Sequence, residues 1–336
     1  LHNTDVAIIG AGPIGLFMSF QAGMLGMKSA IFDALAFPGG QCSALYPEKP
    51  IYDIPAFKTI LSQDLIDNLM EQALQFSPHL VLGSPVVELR SEGSEFIVTN
   101  ANKNSVKAKA VVIAAGSGEF QFKKPPISNI ELYENKTIFY SIQQTKLFHD
   151  KVLTICGGGD SAVDWAIELA NNAQHIHLIH RREKFRCLDA TYNKLMQLVD
   201  SGKITMHIPF QLYDVIGVDG IINQVMIANL EGALKTIDTD FLLPFYGLAT
   251  NLDRIIDWGI DMDHNAIVTD QSTMMTNYPG VFAIGDVAFY HGKLKLILTG
   301  FAEAAIAAQN IYHLVFPGQA LHFEHSTTKG VRHFGS

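Results

Sequence analysis

The chain has 336 residues, of which 48% are hydrophobic and 17% charged, and its formal net charge is −9. That length favours two domains, or one large α/β unit with an insertion, and the apolar content can fill a sizeable core and excludes a disordered chain. The acidic balance argues against duplex nucleic acid as a partner, because phosphate binding is dominated by clustered Lys and Arg.

The three cysteines, Cys42, Cys156 and Cys187, form neither a C-x-x-C pair nor a metal-ligand spacing, so no disulfide framework and no metal site is expected. No apolar run reaches about 20 residues, the length that spans a bilayer. The chain also passes from LHNTD straight into VAIIG, without a basic region or a cleavage site. A cytoplasmic protein with no membrane partner is the expectation.

The first organised segment is DVAIIGAGPIGLFMSFQAGMLGMKSAIFDA. The run at 6–9 reads as a buried parallel strand, Gly10, Gly12 and Gly15 form G-x-G-x-x-G, and Leu16, Phe17 and Phe20 begin a helix. A second strand at 29–32 ends at Asp33. Gly10 permits the tight turn, Gly12 lets backbone approach a pyrophosphate, and Gly15 allows close helix packing, while Asp33 can accept hydrogen bonds from ribose hydroxyls.

A second copy follows in KVLTICGGGDSAVDWAIELANNAQHIHLIHRR. Residues 152–156 form its strand, Gly157, Gly159 and Ala162 give the G-x-G-x-x-A variant, and Ala162, Ala166 and Ala170 share one helix face. Its second strand, at 175–180, ends not in an acid but in Arg181 and Arg182. A carboxylate there would hold the 2'-hydroxyl of NAD and repel a 2'-phosphate, which guanidinium forks grip, so His180, Arg181 and Arg182 favour NADPH.

Two further apolar strands, at 110–114 and 281–284, run into Gly116 and into Gly285–Asp286, and they flank the second unit. The expected fold is therefore α/β with two Rossmann-like dinucleotide-binding domains, the second inserted in the first. The expected boundaries are 1–117 with 247–336 for the first domain and 118–246 for the second.

Together GAGPIG, PGGQ, YPEK, GGGDSAVDW, HRR and FAIGDV resemble the low-molecular-weight thioredoxin reductase fold. Within that fold the likeness is to the ferredoxin (flavodoxin) NADP reductase family, over essentially the whole chain. The resemblance implies FAD in the first domain, with Gly10, Gly12, Pro13 and Gly15 around the pyrophosphate, Asp33 on the ribose and Asp286 beside the ribityl chain. It further matches Gln41, Tyr46, Val86, Phe120 and Thr327 to FAD-contacting positions, with Tyr46 and His325 stacked on the flavin. The C-terminal tail that carries His325 is expected to cover the flavin face. For NADP(H) the resemblance implies Gly157, Gly159, Asp160, Ser161, His180, Arg181 and Arg182. A helix starting near 299–302 is expected to aim its positive end at the flavin pyrimidine, where reduction places negative charge. No catalytic triad and no metal are expected.

Thioredoxin reductases of this fold carry a C-x-x-C just before the second glycine motif, because a dithiol must accept electrons from the flavin. The stretch here, FYSIQQTKLFHDKVLTICGGGD, has no cysteine pair, which rules out that relay. The function the resemblance implies is electron transfer between NADPH and ferredoxin or flavodoxin, by hydride transfer to flavin N5 and then single-electron steps. It also implies a homodimer, and rotation of the inserted domain, with Gly116, Gly118 and Gly247 as candidate hinges. An acidic carrier calls for a local basic patch, for which Lys49, Lys123, Lys124, Lys293 and Lys295 are candidates. The competing readings are an NADPH-dependent flavin disulfide reductase using Cys42 and a non-enzymatic FAD/NADPH redox sensor.

Overall fold

The structure, a computed structural model, describes residues 1–321. The chain divides into two compact units, residues 1–120 with 250–336 and residues 121–249. In the first unit a five-stranded sheet runs in the order Val281–Ala283, Ala110–Ile113, Val6–Ile9, Ser29–Phe32, His79–Val81. Every neighbouring pair in it is parallel.

The strands Val6–Ile9 and Ala110–Ile113 are buried at every position, as parallel strands covered on both faces must be. Their side chains alternate between two cores. Val6, Ile8, Ala110 and Val112 pack with Leu16 and Ala22 of the helix Pro13–Met24 and with Ala304 and Ile311 of the helix Ile297–Val315. Ala7, Ile9, Val111 and Ile113 face Val98 and Val106 of a second sheet, ordered His2–Asn3, Ser105–Ala108, Glu95–Asn100, Val86–Glu92. The helix Ile297–Val315 begins two residues before the start expected from sequence, and the strand expected at 281–284 ends at Ala283.

The second unit repeats the plan with a parallel sheet in the order Ile204–His207, His175–Ile179, Val152–Cys156, Phe241–Pro244. Ala162, Ala166 and Ala170 are all buried along the helix Asp160–Leu169 and its C-terminal cap, so the spacing of four does mark its packed face. An antiparallel sheet of Gln211–Val218, Ile221–Ala228 and Leu234–Asp238 lays Leu212, Val225, Ile227 and Ile237 over Cys156, Ile179 and Leu242. Both passages of the chain between units fall in two short strands, Glu119–Phe122 and Leu248–Asn251, which pair with each other.

In each unit the glycine-rich turn follows a strand flanked on one side by the next strand of its sheet and on the other by a strand from much later in the chain. Val6–Ile9 lies between Ser29–Phe32 and Ala110–Ile113, and Val152–Cys156 lies between His175–Ile179 and Phe241–Pro244. This is the switch point of an open α/β sheet, where a crevice opens beyond the carboxyl ends of the strands. Among the described residues no helix is long and apolar enough to cross a membrane.

Candidate functional site: two nucleotide loops

In the first loop Gly10 takes φ +115°, and its amide donates to the Phe32 carbonyl at 2.8 Å. A Cβ on Gly15 would overlap the Gly10 carbonyl oxygen, so that glycine is demanded by the fold itself. Gly12 differs. It is the N-cap of the helix Pro13–Met24 with an extended backbone, Pro13 opens the helix, and a Cβ on Gly12 would meet nothing within 4 Å. The space in front of Gly12 is therefore free for a ligand at a helix N-terminus, where unpaired N–H groups favour phosphate.

Asp33 braces this loop. Its Oδ2 accepts from the Ala11 amide at 2.6 Å and its Oδ1 from the Leu35 amide at 2.8 Å. Burial pushes the Asp33 carboxyl upward, opposed by the amides of Ala11, Leu35 and Ala34. A carboxylate has about four acceptor positions, so these backbone donors leave capacity for a hydroxyl donor. The PGGQ segment folds onto the same loop: Gly39 donates to the Ala11 carbonyl at 2.8 Å, and a Cβ on Gly40 would fall 3.2 Å from the Gly12 Cα. Beside Gly39 the hydroxyl of Ser43 is buried without a hydrogen-bond partner. An open helix N-terminus, a braced carboxylate and an unspent hydroxyl together fit a phosphate- and ribose-bearing group such as FAD.

The remaining residues of the first site take varied positions. Gln41 opens the short helix Gln41–Leu45 and is half-buried, and Tyr46 caps that helix with its hydroxyl 3.9 Å from the Cys42 sulfur. Burial lifts the Tyr46 hydroxyl above its ordinary range. Val86 opens the strand Val86–Glu92 and packs in the core with Val98, and Phe120 is half-buried on the strand Glu119–Phe122. Asp286 is exposed on the turn Gly285–Val287. His325 and Thr327 lie outside the described residues.

The second loop follows the same steric logic. A Cβ on Gly157 would meet the Phe245 carbonyl oxygen at 2.7 Å, whereas one on Gly159 would meet nothing within 4 Å. Asp160 and Ser161 form the exposed first turn of the helix that starts there. His180 is half-buried: its ring lies against Gly158, where a Cβ would run into it, and its Nε2 donates to the Lys184 carbonyl at 3.2 Å. Burial first, then Arg181, Arg182 and Arg186, pushes its pKa down.

Arg181 and Arg182 are exposed at the end of the strand His175–Ile179. Beyond them Phe185 is buried, with its ring 4.8 Å from His180 and 5.8 Å from Tyr192. The Arg186 amide then donates to the Gly158 carbonyl at 2.7 Å. The segment therefore folds back onto the glycine loop and adds a third guanidinium, Arg186, which the sequence reading passed over. A donor set of three exposed guanidinium groups fits a 2'-phosphate.

The three cysteines offer no dithiol. Cys42 and Cys156 are buried and Cys187 is half-buried, all three as free thiols. Burial pushes each thiol upward, that of Cys156 to about 12, so none is poised as a thiolate. Among the candidate carrier-binding lysines Lys293 must be struck out, because its side chain is 3% exposed and pairs with Glu303. Lys124 already pairs with Glu134 at 2.7 Å.

Two glycine loops at two switch points, one closed by an acid and the other by cations, define an oxidoreductase that handles two nucleotides. The family model for pyridine nucleotide-disulphide oxidoreductases matches residues 4–309. Ferredoxin–NADP reductase of Rhodospirillum rubrum is 48% identical, the match covering 98% of this chain and 96% of that protein. The protein of the same name from Rickettsia bellii is 49% identical, covering 98% and 99%. Among solved structures, Lactococcus lactis thioredoxin reductase superposes with a TM-score of 0.76 at 26% identity, covering 93% of this chain and 99% of that one. The chain belongs to the ferredoxin–NADP reductase family, built on the thioredoxin-reductase-like fold.

Proposed function

We propose that this chain carries electrons between NADPH and a ferredoxin or flavodoxin, with FAD bound in the unit formed by 1–117 and 247–336 and NADPH in the unit formed by 118–246. The observation that carries the reading is the contrast at matching strand ends, Asp33 in one unit and Arg181 and Arg182 in the other. An acid suits a free ribose hydroxyl and guanidinium groups suit a 2'-phosphate. Likeness to named ferredoxin–NADP reductases over nearly the full chain supports the carrier.

Bound FAD would supply the two-electron to one-electron conversion; the side chains supply position and charge. The open N-terminus at Gly12 and Pro13 receives the pyrophosphate, Asp33 the adenosine ribose, and Asp286 the ribityl chain. Gln41, Val86, Phe120 and Thr327 complete the envelope, and Tyr46 and His325 exclude water from the ring faces. The positive end of the helix Ile297–Val315 favours the added negative charge of the reduced ring. In the second unit the amides at Gly157, Gly159, Asp160 and Ser161 receive phosphate, and His180, Arg181 and Arg182 select for NADPH, with the His180 ring also packed on the glycine loop. No side-chain acid or base is required for hydride transfer, so placement and electrostatics carry the rate.

The test is anaerobic mixing of the flavin-loaded protein with NADPH or NADH, followed by cytochrome c reduction with and without ferredoxin or flavodoxin. Bleaching should be fast with NADPH and slow with NADH, and cytochrome c reduction should depend on the carrier. Bleaching by NADPH with no carrier-dependent rate sinks the reading in favour of a different flavin reductase. Failure of NADPH to bleach the flavin favours a sensor.

A further inference from the structure

The helix Ile297–Val315 buries Gly300, Ala304, Ala307 and Ala308, a face of small residues that allows close approach to the helix Pro13–Met24. One position on it breaks the pattern. Glu303 is 2% exposed, and its carboxylate collects three donors. Its Oε2 accepts from the Gly285 amide at 2.7 Å, and its Oε1 accepts from the Tyr290 hydroxyl at 2.7 Å and from the Lys293 ammonium. The Lys293 side chain is itself only 3% exposed.

An ion pair this deep is a poor way to gain stability. Removing two charges from water carries a desolvation penalty that their attraction need not repay, and apolar side chains of similar volume are often neutral or better. Leu or Met at 303 would match the rest of the helix face. What an apolar side chain could not do is accept the Gly285 amide, and Gly285 is the residue before Asp286. That turn is held from the other side too: Gly285 has φ +75°, and a Cβ on it would lie 3.3 Å from Ile14 Cγ1. Ile14 belongs to the helix that opens at the first glycine loop. The Asp286 turn is thus clamped between that helix and Glu303.

We infer that Glu303, held by Lys293 and Tyr290, is a positioning residue for FAD: it fixes the Gly285–Val287 turn so that the Asp286 carboxylate is presented to the cofactor. This rests on the reading that Asp286 contacts FAD. Glu303 touches no ligand itself and acts through the amide it holds.

The experiment measures FAD dissociation from the full chain by flavin fluorescence, in paired variants that avoid an orphaned buried charge. Lys293→Met with Glu303→Gln removes both charges and keeps an acceptor for the Gly285 amide, so FAD affinity should stay within about threefold of the parent. Lys293→Met with Glu303→Leu also removes the acceptor. Loss of a support behind a metal ligand costs about 10- to 100-fold in affinity, and by analogy a loss of FAD affinity of about tenfold or more is expected here. Adding Asp286→Ala to the leucine variant should then cost nothing further, because the two changes remove one interaction.

Unchanged FAD affinity in the leucine variant overturns the inference, and so do losses that simply add. Asp286→Ala alone separates the two levels of argument. If it leaves FAD affinity intact, the Asp286 reading fails and the inference with it; if it weakens FAD while the leucine variant does not, only the inference fails. Should the leucine variant not fold, Tyr290→Phe serves: it removes one donor from the carboxylate, and FAD should weaken severalfold, with no further loss when Asp286→Ala is present. Unchanged affinity in Tyr290→Phe again overturns the inference.

Discussion

Arg181 and Arg182 project from a segment whose backbone is fixed at both ends, by His180 against Gly158 and by the Arg186 amide on the Gly158 carbonyl. Two preorganised guanidinium groups can make charge-assisted bonds to phosphate, each worth about 1.5 to 3 kcal/mol. Replacing both with Ala should raise KM for NADPH by roughly 100-fold, within what two such bonds supply. KM for NADH should change little, so the two cofactors are used almost equally; a retained preference for NADPH would move the selectivity to Arg186. The acid-against-arginine contrast was legible in the sequence because a strand of fixed length delivers its last residue to a known place. The packing of His180 on Gly158 was not legible, nor was Glu303 as the holder of the Asp286 turn. Those roles arise where segments distant in the chain meet: Glu303 and Gly285 are 18 residues apart, and Arg186 reaches Gly158 only because Phe185 is buried.

At the scale of strand, loop and helix, the glycines of one motif separate into two kinds that G-x-G-x-x-G alone does not distinguish. Gly15→Ala would drive a methyl into the Gly10 carbonyl and should destabilise the first unit by about 3 kcal/mol, the upper end of what overpacking costs, because the struck atom is backbone. Gly12→Ala meets open space on an extended backbone that Ala adopts freely. Thermal melting of the apoprotein should show Gly12→Ala unchanged or slightly stabilised, while its FAD affinity falls by at least about tenfold as the methyl occupies the phosphate space. Equal loss of stability in both variants would remove the assignment of that space to a ligand.

The strands of the second unit make a separate prediction about pH. His177 Nδ1 lies 3.1 Å from His207 Nε2, and Lys235 Nζ lies 3.3 Å from His207 Nδ1. Burial, then neighbouring His175 and Lys235 among other groups, pushes both His177 and His207 down to about 4. The unfolded chain takes up protons on these rings near pH 6.5, but the folded chain refuses them until about pH 4. Stability from this cluster is therefore complete above pH 6.5, is lost as pH falls through that window, and levels off below it. Counted as one coupled site, the shift from 6.5 to about 4 corresponds to at most about 3.4 kcal/mol, and solvent screening at the half-buried His177 brings the expected loss to about 2 kcal/mol. Urea unfolding between pH 4 and 7 should show it, and His177→Asn with His207→Gln should flatten the slope relative to the parent. The sequence reading placed His175 and His177 on one strand but gave no sign that they meet His207, since that depends on the register pairing His177 with Thr205 and Ile179 with His207.

At the scale of the whole molecule, the two nucleotide loops sit on separate compact units, and the chain passes between those units only at 120–121 and 249–250. Of the glycines near these passages, Gly118 has no room for a side chain, because a Cβ would strike the Asn251 carbonyl, whereas Gly116 and Gly247 have nothing within 4 Å. Packing thus accounts for the glycine at 118 but not for those at 116 and 247, which leaves the latter two as the hinge candidates, although the Gly247 carbonyl accepts from the Lys123 amide at 3.1 Å. Hydride transfer requires the reacting atoms of nicotinamide and flavin to approach to about 3 to 3.5 Å, and single-electron transfer requires the flavin to be reachable by a carrier protein. If the units must move to satisfy both, the step is diffusive and slows as solvent thickens. Stopped-flow bleaching of the flavin by NADPH should then fall roughly in proportion to viscosity over a fivefold range in sucrose. Bleaching by dithionite, which needs no bound nucleotide, should be unaffected. A rate with NADPH indifferent to viscosity would mean that the two sites meet without rotation, and Gly116 and Gly247 would be ordinary turn residues.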